Sequence, residues 1–146
     1  MNLEIHNFTQ NNLDCIFLKK IAEKTLEQAG IKDNIEISLA IVGDGRMRKI
    51  NRIYQGKNRI TDVLSFDNKE KKFIEMPDGV KRLGEIVICY PQAKKQARLA
   101  GYQLEKELAV LFIHGLLHLL GYDHKDNGKR TEEMRTMEDK ILKKIN

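Results

Sequence analysis

Apolar and polar positions alternate weakly at Leu3 and Ile5, which predicts a short opening strand. Leu13, Ile16, Phe17, Ile21, Leu26 and Ala29 then recur at helical spacing, and Gly30 follows as a stop. Ile35, Ile37, Leu39 and Ile41 alternate cleanly, the mark of a strand with one buried face. Asp44 is the predicted N-cap of a short helix that turns Met47, Ile50, Ile53 and Tyr54 inward and Arg48 and Arg52 outward. After the Gly56-Lys57-Asn58 turn, Val63 to Phe66 reads as a strand. Asn68 to Gly79 is polar and charged, with Pro77 and Gly79 near its end, and is expected to form a mobile loop or a hairpin connection. Glu85 to Cys89 is a near-continuous apolar run suited to a central strand. Pro91 can open the next helix, which carries Ala93, Ala97 and Ala100 and ends at Gly101. Leu104 to Leu120 is the strongest helix. Its second half is apolar on nearly every side, so it is expected to run through the core, with Gly121 as its C-cap. A last helix begins near Thr131 and carries Met134, Met137, Ile141 and Ile145, read as core filler.

Strands interleaved with helices predict an α+β (mixed α/β) fold, a single small sheet packed with helices. The chain has 146 residues and reads as one domain, 1–146. A chain of that size buries roughly two-thirds of its unfolded surface and needs no metal merely to fold. Cys15 and Cys89 are too few and too far apart for a disulfide scaffold or a metal knuckle, and read as small hydrophobes in helix and strand. The start has no secretory pattern, and the apolar stretch from Leu108 to Leu120 is too short to span a bilayer. A soluble cytoplasmic protein with no membrane partner is the expectation. Formal net charge is +5, from 26 basic and 21 acidic residues. Between Asp44 and Asp62 the charged residues are Arg46, Arg48, Lys49, Arg52, Lys57 and Arg59, with no acid among them. Such a segment suits either a polyanion or a solvated face.

The chemistry is concentrated in HGLLHLLGYDH, from His114 to His124. His114 and His118 are four apart, so their rings share one helix face. Gly121 can turn the chain back and bring His124 to the same place. Three imidazoles hold one Zn²⁺ at about 2.0–2.1 Å each and leave a fourth position open, which marks a catalytic rather than a structural site. Zinc is favoured over iron because no carboxylate completes a facial triad. The spacing is also that of the HExxHxxGxxH zinc peptidases, but their general-base glutamate is replaced by Gly115, which cannot take a proton. Residues alone therefore indicate a metal-dependent hydrolase other than a peptidase.

On these residues the sequence resembles the YbeY family of bacterial endoribonucleases and rRNA maturation factors. His114 to His124 matches the family's H-G-x-L-H-L-x-G-Y-D-H pattern in full. Asn51 to Phe66 resembles its basic segment ending in T-D-V-L-S-F, and Leu83 to Cys89 resembles its L-G-D-I-x-I strand. The Met134 to Glu138 region and the overall length also fit. The resemblance implies one zinc ion on His114, His118 and His124, with a zinc-hydrolase-like fold around it. It also implies cleavage of single-stranded RNA, processing of the small-subunit rRNA 3′ end, ribosome quality control, and the small ribosomal subunit with its associated proteins as partners. Thr61, Asp62, Ser65 and Phe66 match the block that the family places beside its cleft.

The chain departs from that pattern at Gln55, where the family typically has an arginine tied to RNA cleavage. It also departs at Ile60, usually proline, and at Glu85, usually aspartate. Glutamine loses the charged bidentate grip on phosphate, so Arg52 or Arg59 is the candidate replacement. Arg59, Gln55 and Glu85 thus join the three histidines as candidate catalytic residues. Asp123 is expected to orient a histidine through its second nitrogen, and Glu85 is a candidate for that role or for general base. Two other readings stand beside the nuclease: a ribosome-assembly RNA-binding factor with a largely structural zinc, and a metal-dependent hydrolase of another substrate.

Overall fold

The computed structural model describes residues 1–67, 79–122 and 128–145, the side chains of 128–131 excepted. Its elements run β1 (Asn2–Asn7), α1 (Cys15–Gln28), β2 (Ile35–Val42), α2 (Asp44–Gln55), β3 (Val63–Asp67), β4 (Lys81–Cys89), α3 (Tyr90–Ala100), α4 (Leu104–Leu119) and α5 (Gly128–Ile145). The four strands form one sheet in the order β1-β2-β4-β3. β1, β2 and β4 are mutually parallel, and β3 joins β4 antiparallel at the sheet edge. This is the expected mixed α/β fold with a single helix-packed sheet. Residues 68–78, expected to be a loop or hairpin connection, lie outside the described residues.

The alternation read from β2 decides how the layers form. Ile35, Ile37, Leu39 and Ile41 are all buried on one face and join Ile86 and Ile88 of β4 in the main core. Helices α1, α4 and α5 cover that face. On the opposite face Val42, Val87 and Cys89 meet Met47 of α2 in a smaller core. α4 is buried on most of its circumference, with Phe112, Ile113, Leu116 and Leu117 fully enclosed, as the run from Leu104 predicted. Each such side chain contributes about 1.5–3 kcal/mol by leaving water. The helix can lie this close because position 115 has no side chain. A Cβ there would come within 2.9 Å of Ile86 Cγ2.

Several local expectations shift. The N-cap of α2 is Gly43, not Asp44, and it makes no side-chain capping bond. Asp44 is instead the first helical residue, where its charge suits the helix dipole. Its Oδ1 accepts from Cys89 Sγ at 3.2 Å and from Gln92 Nε2 at 3.3 Å. Ile53 and Tyr54 are exposed rather than inward, and the buried face of α2 is Met47 and Asn51. Asn51 belongs there because its Nδ2 donates to the Arg59 carbonyl at 2.9 Å, which ties the following turn to the helix. Cys15 lies in α1 and Cys89 in β4, helix and strand as read, with Cys15 exposed and Cys89 buried. α5 begins at Gly128, ahead of Thr131, and buries Met134 and Ile141. Among the described residues no helix is long and apolar enough to cross a membrane.

Candidate metal centre

His114 and His118 project from one face of α4, as their spacing requires. Their ring centroids are 4.8 Å apart at an interplanar angle of 65°. Two imidazole nitrogens bound tetrahedrally to one zinc would place their rings roughly 5 Å apart. The pair therefore fits two ligands of a single ion.

The end of α4 turns the chain back after His118. Gly121 has φ +100°, a conformation L side chains rarely adopt, and lies one residue past the Leu120 cap. Its N–H donates to the His118 carbonyl at 3.0 Å, and the Tyr122 N–H donates to the Leu117 carbonyl at 2.9 Å. That pair of bonds is a Schellman closure, which stops the helix and reverses the chain. His124, the third sequence-predicted ligand, and its neighbour Asp123 lie outside the described residues. Among the described residues no group of three potential metal donors occurs.

One residue of the centre was missed from sequence. Glu138 Oε1 lies 3.3 Å from His114 Nδ1. A hydrogen bond from Nδ1–H to this carboxylate would orient the ring and leave Nε2 as the nitrogen to ligate a metal. The missed signal is an acid on the apolar face of α5, four residues from Met134 and three from Ile141. Glu138→Ala should weaken zinc affinity about 10–100-fold, and Glu138→Gln should lose less because the amide oxygen still accepts. Competition with a chromophoric chelator measures this, and the helical circular dichroism should not change.

The other candidates gather around β3. α4 packs on β3 as well as β4. Ser65 pairs in register with Ile86, the residue beneath Gly115, so the edge strand runs beside the histidine helix. Asp62 fixes the entry to β3. Its carboxylate accepts from the Val63 N–H at 2.8 Å and from Gln96 Nε2 at 3.2 Å, and its carbonyl accepts from the Cys89 N–H at 2.8 Å. Gln55 ends α2, and Arg59 sits in the turn beyond, held by Asn51 and by the 2.9 Å bond from Arg48 Nε to Asn58 Oδ1. Among the described residues neither Arg52 nor Arg59 has a side-chain partner. Glu85 pairs with Phe66 and is exposed. Strand alternation sets it on the α2 side, opposite Ile86 and α4, so it does not share the histidines' face. Burial pushes the Cys89 thiol up to about 12, so it remains a proton donor to Asp44 rather than a thiolate ligand.

The family model described as Endoribonuclease YbeY matches residues 4–146. A protein of Persephonella marina with that same description is 43% identical over 131 residues, spanning 88% of this chain and 82% of its own. Its Aquifex aeolicus counterpart is 39% identical over 128 residues, covering 88% and 81%. A solution structure of a Thermotoga maritima protein superposes with a TM-score of 0.65 at 28% identity, covering 98% of this chain and 88% of that one.

Proposed function

Since the chain belongs to the YbeY endoribonuclease family, we propose that it is a zinc-dependent endoribonuclease that cuts single-stranded RNA. Its substrate is the 3′ end of small-subunit rRNA, and its setting is ribosome maturation and quality control in the cytoplasm, beside the small subunit and its associated proteins. The observation that carries this reading is the imidazole pair on α4 with Glu138 behind His114.

His114, His118 and His124 are the residues that would hold the one zinc ion. A zinc ion there supplies Lewis acidity towards a phosphoryl oxygen and lowers the pKa of a bound water towards about 7. Glu138 accepts a hydrogen bond from the Nδ1–H of His114 and fixes its ring. Gly115 contributes no base and lets α4 seat against β4. Arg52 and Arg59, unpaired among the described residues, neutralise phosphate charge as it grows in the transition state. Gln55 donates an uncharged hydrogen bond to a phosphoryl oxygen. Glu85, on the opposite face of β4 from the histidines, takes no part in proton transfer at the metal.

Gln55→Arg should raise single-turnover cleavage about five- to thirty-fold at unchanged zinc content. A charge-assisted bidentate grip is about twice as strong as a neutral bond, a gain of roughly 1–2 kcal/mol. Arg59→Ala run in parallel should lose activity. A loss in Arg59→Ala without a gain in Gln55→Arg would show that the charge has moved along the segment.

Gln55 also favours a second reading, an RNA-binding assembly factor with a structural zinc. Multiple-turnover cleavage of a labelled single strand decides between them. The nuclease reading requires turnover that stops with chelator while the fold persists. Tight binding without turnover would favour the assembly factor.

A further inference from the structure

Tyr54 lies in the last turn of α2 yet is 68% exposed, and beside it Ile53 is 57% and Ile60 40% exposed. Exposed apolar side chains so close in sequence are candidates for a binding surface. The Tyr54 ring is not loose. It meets Phe66 of β3 in an edge contact, with centroids 5.5 Å apart at 62°. That contact leaves much of the ring to solvent while holding its orientation. The surroundings are cationic. Arg52 precedes Tyr54 on the helix, and Lys57 and Arg59 follow in the turn that Asn51 pins. No acid occurs between Asp44 and Asp62.

We propose that Tyr54 is a stacking platform for an unpaired base of the RNA strand, with Ile53 and Ile60 flanking the base and Arg52, Lys57 and Arg59 taking the adjacent phosphates. This rests on the endoribonuclease reading and names a contact of its substrate. A cation frame around an exposed aromatic complements a polyanion that carries flat apolar groups, and it disfavours a basic protein partner. Phe66, on which Tyr54 leans, lies on the α2 face of β3, the face opposite the histidines. β3 is the edge of the sheet and its other face runs beside the histidine helix, so an RNA strand that rounds this edge would place one base on Tyr54 and continue towards the histidines on the far face.

The test is fluorescence anisotropy of zinc-loaded protein with a short 2′-O-methylated single strand, across a range of salt concentrations. Tyr54→Ala should weaken binding roughly ten-fold or more and leave the salt slope unchanged, because stacking releases no counterions. Tyr54→Phe should bind as wild type. Arg52→Ala should lower the log–log slope by roughly 0.7. A duplex of the same sequence should be insensitive to Tyr54. If wild type binds the single strand and Tyr54→Ala binds it equally well, the platform is refuted and the patch would instead face a protein. If wild type binds no single strand at all, the RNA reading falls and the platform with it.

Discussion

Gly115→Glu will rebuild the HExxH signature of the zinc peptidases and yield no peptidase activity. It will also melt well below the wild type. A Cβ at position 115 already approaches Ile86 Cγ2 to 2.9 Å and Ile86 Cδ1 to 3.2 Å. Ile86 is fully buried between the sheet and α4 and has nowhere to retreat. Overpacking of this kind costs about 1–3 kcal/mol, and confining a carboxylate in an apolar layer adds to it. A total of at least about 3 kcal/mol corresponds to roughly 10 °C in a chain of this size. Thermal melting beside a casein digestion assay reads both halves of the prediction. Wild-type stability in Gly115→Glu would mean that α4 does not seat on β4 as described. The absence of an acid at position 115 is thus tied to the packing of the histidine helix against β4.

His118→Ala will leave the protein folded and nearly devoid of zinc after dialysis. Two imidazoles grip a zinc ion far more weakly than three, and the loss should exceed the ~10–100-fold that accompanies removal of an outer partner. His118 is partly exposed at the end of α4 and is not in the main core, so the helix content should persist. Elemental analysis of His114→Ala, His118→Ala and His124→Ala reads the outcome. Stoichiometric zinc in all three would remove the site assignment. Glu138→Ala should fall between these variants and wild type.

Much of this architecture was legible in the residues. The strict alternation of β2 and the apolar density of α4 state their burial directly, because each pattern has only one way to hide from water. The His114/His118 pairing follows from helical periodicity, and the turn at Gly121 from its position after the last apolar residue. What escaped depends on contacts between segments distant in sequence. Tyr54 has the spacing of an inward residue, yet its ring meets Phe66 of the edge strand and remains exposed. Asn51 is not among the residues that the spacing turns inward on α2, yet it is buried and donates to the Arg59 carbonyl. Glu85 stands beside the apolar run of β4, and only the partnership of Ile86 with Gly115 reveals that it faces the other way. Glu138 is 24 residues from His114, and its role needed α4 and α5 to be packed together. Asp123, expected to orient a histidine, lies outside the described residues, and Glu138 occupies such a position at His114.

We propose that His114, His118 and His124 hold one zinc with a position left for water. X-ray absorption at the zinc edge of the metal-loaded protein should show three imidazole nitrogens and one further light atom at about 2.0–2.1 Å, with no sulfur. A sulfur at about 2.3 Å, or a fourth imidazole from His6 closing the coordination, would contradict it.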